Sequence, residues 1–260
     1  MQQFTIEKTD GNKIACVKVV PDHPAGIVIG IHGFSSSKEA STYYTLLERL
    51  PSAGIGVICL DLPGHGTGES AKETLRISGA LDSIGAVEEY ALREYPGCEI
   101  FYFGSSFGAY LSGLYISARP HAGRKAFWRS AAVNMPSLFH KENPTEIEKK
   151  QLSDLDTKGY FDTSLDLNKS VRITRGMYDD LGENDLFEKF DAGRFGEHQI
   201  LMVHGRNDEV ISPKEAERFA DRFQIPIIWF EGEGHSISKD SASVDRVMEL
   251  AIKHFSSVRG

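Results

Sequence analysis

Short apolar runs alternate with helix-periodic segments along most of this chain. The runs at 26–31 and 56–60 contain no charged residue, as is typical of strands that are buried on both faces of a parallel sheet. Between such runs, apolar positions recur every three or four residues, as at Leu81, Ile84 and Val87, and this spacing predicts helices. Strands that alternate with helices predict an α/β fold, with a mostly parallel central sheet and helices on both faces.

Both ends of the chain add to this pattern. Two extended runs flank Asp10-Gly11, a dipeptide typical of tight turns, and together they predict an antiparallel hairpin near the N-terminal end. Later strands are predicted at 199–203 and 225–230, with a helix at 213–223 between them and an amphipathic helix at 244–255. We therefore expect the N-terminal hairpin to add antiparallel strands at one edge of the parallel sheet.

The segment 135–195 interrupts the alternation. It is polar and highly charged, yet it carries large apolar side chains that a purely solvated loop would not need. We predict a cap, or lid, of short helices and a hairpin lying over the edge of the sheet; the alternative is a surface excursion without a role in binding. The predicted division is a core at 1–134 and 196–260 and a cap at 135–195. Large apolar residues of the cap that are expected to line a substrate pocket are Phe139, Tyr160, Phe161, Met177 and Tyr178.

A G-x-S-x-G pattern stands between a predicted strand and a predicted helix. It consists of Gly104-Ser105-Ser106-Phe107-Gly108, directly after the apolar run 100–103. In a sharp strand-to-helix turn the residues that flank the serine approach neighbouring backbone closely, so glycine is needed there. Such a turn would present the hydroxyl of Ser106 at the sheet edge as a nucleophile. Ser105 does not fit this role, because its own frame would place phenylalanines where the glycines are required.

Two loops that follow predicted strands carry candidate partners for this serine. A serine hydroxyl needs a base to remove its proton, and the base needs a group that orients it. His235 is the candidate base, because it lies just after the strand that ends at Phe230. Asp208 follows the strand 199–203 and would accept the proton on Nδ1 of His235; Glu209 is the neighbouring alternative. Both loops are expected at the carboxyl edge of the parallel sheet, where ligands bind.

Backbone N–H groups are the candidates for stabilising negative charge on a reacting carbonyl oxygen. One belongs to Phe107, at the start of the predicted helix, where the helix dipole also favours negative charge. The other belongs to Phe34, in the loop after the strand 26–31. The neighbouring His32 is interpreted as a residue that braces this loop and not as the base.

Composition and charge exclude several other classes of partner. The chain has 260 residues and a formal net charge of −8, which argues against nucleic acid and anionic membranes, since both bind basic surfaces. No apolar run approaches the about 20 residues that span a bilayer, and the N-terminal sequence lacks the features of a signal peptide. The three cysteines, widely spaced, are expected to be reduced. We therefore expect a cytoplasmic protein.

No sequence motif indicates a metal or a cofactor. The glycine-rich segment 61–68 follows a strand, but Glu69 replaces the last glycine of a dinucleotide-binding pattern, and no phosphate-binding lysine follows. We interpret this segment as a tight structural loop. Cysteine and histidine pairs at the spacing of a zinc site are also missing from the sequence. We therefore expect the protein to use no cofactor.

Taken together, these motifs resemble those of the α/β-hydrolase fold family. The resemblance covers nearly the whole chain except the cap, from His32-Gly33-Phe34 through 61–66 to the triad candidates, which follow the family's order Ser, Asp, His. The small cap resembles that of short-cap serine carboxylesterases, which include cinnamoyl and feruloyl esterases. The resemblance implies a nucleophile at Ser106, a base at His235, an orienting acid at Asp208 and an oxyanion hole formed by the N–H groups of Phe34 and Phe107.

The predicted function is that of a serine hydrolase that cleaves carboxylic esters of small molecules through an acyl-enzyme intermediate. One position departs from the resemblance, because many lipases and esterases have histidine before the nucleophile, where this chain has Ser105. Three alternatives stay open. The first is a thioesterase, amidase or peptidase with the same triad, and the second is a ligand-binding protein without turnover on the same scaffold. The third is a cofactor-free haloperoxidase or a C–C bond hydrolase, which would use the same triad. The sequence indicates neither an oligomeric state nor a preferred acyl group.

Overall fold

The computed structural model describes residues 1–119, 125–166, 169–191 and 199–257. Within these residues, strands and helices alternate along the chain as the hydrophobic pattern predicts. The described strands are β1 (Gln2–Glu7), β2 (Lys13–Val19), β3 (Gly26–Ile31), β4 (Gly56–Leu60), β5 (Glu99–Ser105), β6 (Ala126–Arg129), β7 (Tyr160–Asp166), β8 (Lys169–Thr174), β9 (Ile200–Gly205) and β10 (Ile227–Phe230).

Eight of the described strands form one sheet in the order β1-β2-β4-β3-β5-β6-β9-β10. The pairing is parallel from β4 through β3, β5, β6 and β9 to β10. At the other edge, β1 pairs antiparallel with β2, and β2 pairs antiparallel with β4. This arrangement confirms the predicted parallel sheet with an antiparallel N-terminal hairpin, whose turn contains Gly11 with φ of +84°.

Helices pack on both faces of this sheet. The helices Ser41–Ser52, Ile77–Glu94 and Ser241–Ser256 each have an apolar stripe of buried residues and a polar face toward solvent, whereas Phe107–Ala118 is buried along nearly its whole length. The described α-helices are α1 (Ser41–Ser52), α2 (Ile77–Glu94), α3 (Phe107–Ala118), α4 (Met135–Phe139), α5 (Glu146–Lys158), α6 (Arg175–Glu183), α7 (Leu186–Lys189), α8 (Pro213–Phe223) and α9 (Ser241–Ser256).

Two apolar cores, one on each face of the sheet, hold these layers together. Along β3, Ile27, Ile29 and Ile31 belong to the core that includes residues of α2 and α3, whereas Val28 belongs to the core that includes residues of α1 and α9. All of these positions are buried. A strand between two helical layers alternates between them with a period of two residues, and so both faces of β3 must be apolar.

The segment 135–191 contains short helices and one antiparallel hairpin, β7 with β8, as predicted for the cap. Helix α5 begins with a capping box, in which the Thr145 hydroxyl accepts from the N–H of Glu148 and the Glu148 carboxylate accepts from the N–H of Thr145. The helix ends at Gly159, which has φ of +81°. Residues 192–195 lie outside the described residues, and the division into core and cap stays a prediction.

An ion pair links the start of α2 to α6. Nε and Nη2 of Arg76 donate to the carboxylate of Asp180 at 2.7 and 2.8 Å, and the N–H of Ile77 donates to the same carboxylate at 3.0 Å. The Arg76 hydrogen bond lowers the pKa of Asp180, so that this carboxylate is ionised at neutral pH. The contact connects the predicted cap directly to a core helix.

Two further features of the described residues concern membrane-spanning helices and the state of the cysteines. None of these helices is both long and apolar enough to cross a bilayer. Cys16 and Cys59 are free and buried, and Cys98 is free and partly buried. Burial raises the pKa of the Cys16 and Cys59 thiols, so they stay protonated and are poor nucleophiles at neutral pH.

Candidate active site

Ser106 occupies the sharp turn between β5 and α3, with φ of 53° and ψ of −115°. A positive φ is rare for any residue other than glycine and stores backbone strain. Hydrogen bonds hold the turn: the N–H of Ser106 donates to the carbonyl of Arg129 at 2.9 Å, and the N–H of Ala109 donates to the carbonyl of Ser106 at 3.0 Å. The strained residue of this turn is thus the serine that the sequence pattern selects.

The glycines on either side of Ser106 are required by close backbone contacts. A Cβ at Gly104 would lie 2.5 Å from Cα of Ala109, and a Cβ at Gly108 would lie 1.9 Å from the carbonyl oxygen of Ile31. Neither contact is possible for a real side chain, and the second is with backbone that cannot rotate away. The predicted steric reason for the G-x-S-x-G pattern is therefore confirmed.

His235 and Asp208 form a hydrogen-bonded pair, with 2.9 Å between Nδ1 and Oδ2. Oδ1 of Asp208 accepts from the N–H groups of Val210 and Ile211 at 2.9 and 2.8 Å. Burial raises the pKa of Asp208, but the hydrogen bonds from His204 and His235 outweigh it and hold the pKa well below its usual range. The carboxylate is therefore ionised and can only accept, so Nδ1 of His235 carries a proton and donates to it.

The choice between Asp208 and its neighbour Glu209 is visible in the geometry. Asp208 is buried and bonds to His235, whereas Glu209 is exposed. The side chain of His235 is 19% exposed, so its ring is accessible from the surface while the carboxylate behind it is not. This is the arrangement that the predicted base and orienting acid require.

His204, which the sequence analysis did not select, also contacts Asp208. It is fully buried at the end of β9, and its Nε2 lies 3.1 Å from Oδ2 of Asp208 and 3.2 Å from the carbonyl of Ile211. Since both neighbours are acceptors, Nε2 carries the proton and donates. Its Nδ1 is buried without a hydrogen-bond partner in the described part of the chain. One feature of the sequence could have pointed to His204, namely its position four residues before Asp208, near the end of the strand that precedes that residue.

Residues at the end of β6 hold the loop that carries His235 in place. The hydroxyl of Ser130 donates to the carbonyl of His235 at 2.7 Å, and Nη1 of Arg129 donates to the carbonyl of Ser236. Ser130 itself has a positive φ of 48° and is fully buried. Arg129, the last residue of β6, and Ser130, which follows it, therefore hold the backbone that carries the imidazole.

Ser106 and His235 line the same cavity, which has a volume of about 390 Å³. Among the described residues, no hydrogen bond of 3.5 Å or less joins Oγ of Ser106 to the imidazole. Bonds between a nucleophile and its base are often long in ligand-free sites and shorten when substrate binds. The structure thus brings all three predicted triad residues to one edge of the sheet, and His235 and Asp208 are joined by a hydrogen bond.

The two predicted oxyanion donors lie next to each other. The rings of Phe34 and Phe107 pack edge to face, with 5.7 Å between centroids, and neither N–H has a hydrogen-bond partner among the residues that the structure describes. Nδ1 of His32 donates to the carbonyl of Gly33 at 2.8 Å, and Nε2 accepts from the N–H of Leu62 at 3.0 Å. Both ring nitrogens of His32 are thereby engaged in bracing this loop.

A second, apolar cavity of about 270 Å³ also has Ser106 in its wall. Of the five pocket residues that the sequence suggested, Phe139, Phe161 and Tyr178 line it. Tyr160 does not, because its ring lies under the guanidinium of Arg172 at 3.9 Å, and Met177 does not, because it is fully buried. Neighbours on a strand or a helix point in different directions, so the pairs Tyr160/Phe161 and Met177/Tyr178 each place one member at the cavity.

Additional cavity walls come from residues that the sequence reasoning did not select. They are apolar side chains of α4, α5 and the loop after Asp208, together with one ion pair between Lys141 and Glu148 at 2.7 Å. The apolar members that the sequence reasoning did not name are Ala132, Met135, Leu138, Pro144, Leu152, Val210 and Ile211.

The glycine-rich loop after β4 is structural, as its sequence suggested. Asp61 is buried and accepts from the N–H of Lys38 at 2.7 Å and from Nζ of Lys38 at 2.8 Å. A Cβ at Gly66 would lie 2.1 Å from Oδ2 of Asp61, so the loop must wrap closely around this carboxylate. Over the described ranges, no group of three or more His, Cys, Asp or Glu side chains is placed to hold a metal.

Comparison with known proteins agrees with this geometry. A family model described as serine aminopeptidase, S33, matches residues 22–167, which is more than half of the chain. Similar solved structures include Est1E from Butyrivibrio proteoclasticus with bound ferulic acid, at a TM-score of 0.77 and 17% identity, covering 98% of this chain and 100% of that one.

Two further solved structures are similar over nearly their whole length. The esterase domain of a Rhodothermus marinus protein has a TM-score of 0.71 and 18% identity, with 97% of each chain covered. A thermostable carboxyl esterase from Bacillus coagulans has a TM-score of 0.72 and 14% identity, with 97% of this chain and 96% of that one covered. At such identities the likeness shows the fold, and the family match shows the relationship: the chain belongs to the serine aminopeptidase S33 family of α/β-hydrolase-fold proteins.

Proposed function

We propose that this protein is a serine hydrolase that cleaves carboxylic esters through an acyl-enzyme intermediate. The observation that carries the proposal is the hydrogen bond between Nδ1 of His235 and Asp208. His235 lines the same cavity as Ser106, whose backbone is strained. The bond leaves Nε2 of the imidazole free to take a proton. A serine in a glycine-flanked turn beside such an imidazole is the arrangement needed for nucleophilic attack on a carbonyl.

In the first half of the proposed reaction, Oγ of Ser106 attacks the ester carbonyl carbon while Nε2 of His235 takes the hydroxyl proton. Negative charge develops on the carbonyl oxygen and is stabilised by the N–H groups of Phe34 and Phe107 and by the N-terminal end of α3. The carbon–oxygen bond to the alcohol then breaks, and His235 returns its proton to the departing oxygen. The products are a free alcohol and an acyl group on Ser106.

In the second half, water replaces the alcohol. His235 takes a proton from water, the hydroxide equivalent attacks the acyl carbon, and the same oxyanion donors stabilise the intermediate. The bond to Oγ of Ser106 breaks, and His235 gives the proton back to the serine. The acid is released and the resting site is restored, so that one ester and one water yield one acid and one alcohol.

Esters are favoured over peptides by the residues around Ser106. An aminopeptidase must bind the free ammonium group of its substrate, and a carboxylate is the usual partner for such a cation. Among the described residues that line the two cavities, the only carboxylate is that of Glu148, which is already paired with Lys141 at 2.7 Å. Two of the similar solved structures are esterases, and a third, Est1E, contains bound ferulic acid.

Steady-state hydrolysis of p-nitrophenyl esters from acetate to palmitate tests the proposal. We expect Ser106→Ala to lower kcat by about a thousandfold or more, with an unchanged circular dichroism spectrum. Ser112→Ala is the matched control, since Ser112 lies on α3 and its hydroxyl donates to the carbonyl of Ala109, away from the site. Full turnover by Ser106→Ala would refute the proposal. Matched thioester and amide substrates, assayed beside the esters, separate the other hydrolases with the same triad.

A further inference from the structure

A positively charged side chain lies beside the catalytic serine without an acidic partner. Arg129 ends β6, and its Nε and Nη2 donate to Oγ of Ser105 at 3.1 and 2.8 Å, while Nη1 donates to the carbonyl of Ser236. No carboxylate of the described residues lies within ion-pair distance of the guanidinium. Arg129 is partly buried, and a charge that is withdrawn from water without a counter-charge is costly, so this side chain calls for an explanation.

The charge of Asp208 acts on Arg129, but the carboxylate of Asp208 already accepts hydrogen bonds from other groups. Desolvation lowers the pKa of Arg129, and the charge of Asp208 only partly opposes this. Both oxygens of Asp208 accept from other groups, namely two backbone N–H groups, His204 and His235. These three hydrogen bonds of Arg129 to Ser105 and Ser236 use three of its five N–H groups, which leaves one on each terminal nitrogen.

The cavity that Arg129 lines is polar and has no acidic side chain in its wall. Its volume is about 390 Å³, and Ser106 and His235 form part of the same wall. Several hydroxyls of this wall make no hydrogen bond within the part of the chain that the structure describes. These are the hydroxyls of Ser36, Ser41, Thr42, Ser236 and Ser238.

The position of His235 decides which part of an ester enters this cavity. In the proposed reaction His235 must return its proton to the departing alcohol oxygen, and so that oxygen has to lie beside the imidazole. His235 lines the polar cavity and is not part of the wall of the apolar one. The alcohol portion therefore lies in the polar cavity, and the acyl portion lies in the apolar cavity.

We propose that Arg129 binds an anionic group, a carboxylate or a phosphate, on the alcohol portion of the ester that this site hydrolyses. The orientation of the ester in this inference rests on the proposed function. The negative charge of the ligand is inferred from the guanidinium without an acidic partner and from the hydroxyls without hydrogen bonds among the described residues. A carboxylate or phosphate oxygen would accept from the remaining guanidinium N–H groups and from wall hydroxyls. It would supply the counter-charge that no described residue provides at this point.

Two esters that differ only in this charge test the proposal. Both carry a butyryl group, and the alcohols are 4-hydroxybenzoate and 4-hydroxybenzamide, phenols of similar acidity. We expect wild type to prefer the carboxylate ester in kcat/KM by about tenfold or more. Arg129→Met should bring this ratio close to unity, and Arg129→Lys, which keeps the charge, should retain part of it. Arg206→Met is the control, because Arg206 stacks on Trp229 at 3.7 Å outside both cavities, and its ratio should equal that of wild type.

A binding measurement on wild type keeps the proposal testable if the variants fail to fold. Calorimetric titration with 4-hydroxybenzoate, 4-hydroxyphenyl phosphate and 4-hydroxybenzamide should show tighter binding of the anions and rank carboxylate against phosphate. Equal binding of all three, or a preference ratio that persists in Arg129→Met, would overturn the anion site. Failure of wild type to hydrolyse either ester would refute the proposed function instead, while the titration would still decide whether the anion site exists.

Discussion

At the scale of single residues, the carboxylate of Asp208 accepts from two backbone N–H groups and from two histidines. The backbone donors occupy Oδ1, so His204 and His235 share Oδ2. His204 cannot move easily, because it is fully buried and its ring packs against that of Trp229 with 5.7 Å between centroids. We infer that His204 is a positioning residue, which holds Oδ2 in line with Nδ1 of His235.

Replacing His204 tests this role. We expect His204→Phe to lower kcat/KM by about tenfold, since a hydrogen bond to a charged group contributes roughly 1.5–3 kcal/mol and Oδ2 would lose one donor. The acidic limb of the kcat/KM profile should move to higher pH, because the carboxylate then keeps more of its charge for the imidazolium. His204→Gln, whose amide can donate, should recover part of both effects. An unchanged pH profile in His204→Phe would show that the residue serves packing alone.

At the scale of elements, the predicted cap supplies one wall of the apolar cavity. Helix α5 contributes Glu148, Gln151 and Leu152 to it, while Ile147 on the same helix is 74% exposed. The helix therefore presents one face to the cavity and the other to solvent. This difference provides a matched pair of positions for changing the cavity without changing the helix.

Filling the cavity from α5 should shorten the preferred acyl group. Leu152→Trp places a large ring in a space of about 270 Å³, and so we expect activity on long-chain p-nitrophenyl esters to fall by about tenfold or more relative to acetate. Ile147→Trp, the exposed control, should keep the chain-length profile of wild type. If both variants give the wild-type profile, the acyl group does not occupy this cavity.

The hydrophobic pattern of the elements predicted much of the fold and of the site, for a physical reason. Ser106, Asp208 and His235 each follow an apolar run, and a residue just after a parallel strand must lie at the carboxyl edge of the sheet. The same pattern does not report which way a side chain turns within an element. Tyr160 and Met177 therefore looked as suitable for the pocket as their neighbours, although they point elsewhere.

Residues that act through other side chains were harder to find. His204 and Arg129 lie inside strands, where the sequence shows only a polar residue at the end of an apolar run. His204 lies only four residues before Asp208, but the contacts of Arg129 with Ser105 and Ser236 join residues that are 24 and 107 positions apart in the chain. Such contacts depend on strand order, which a local pattern does not specify. The departure at Ser105 was visible in the sequence, but its partner Arg129 was not.

At the scale of the whole molecule, buried neutral histidines connect stability to pH. Burial lowers the pKa of His65 to about 4, and its Nε2 has no hydrogen-bond partner among the described residues. Its ring packs against those of His32 and Phe34, in the loop that carries a proposed oxyanion donor. Protonation of His65 would place an uncompensated charge in this core.

We expect the free energy of unfolding to fall as the pH is lowered from 6.5 to about 4. The folded pKa of His65 lies below its ordinary value of 6.5, so the unfolded chain binds more protons in this window and the contribution of His65 is complete only above it. The loss from this residue is about 3 kcal/mol. Urea titrations across this range should show a shallower pH slope for His65→Gln than for wild type, and an unaltered slope for the exposed control His23→Gln. Equal slopes for wild type and His65→Gln would contradict the assignment.

Fluorophosphonate labelling with peptide mapping tests the central claim most directly, because the probe reacts with a serine only when a base activates it. We expect a single phosphonyl adduct on Ser106 in the native chain, no adduct in Ser106→Ala, and labelling slowed by about a hundredfold or more in His235→Ala. An adduct on another residue, or a folded chain that does not react, would contradict the claim that Ser106, His235 and Asp208 work together as a catalytic triad.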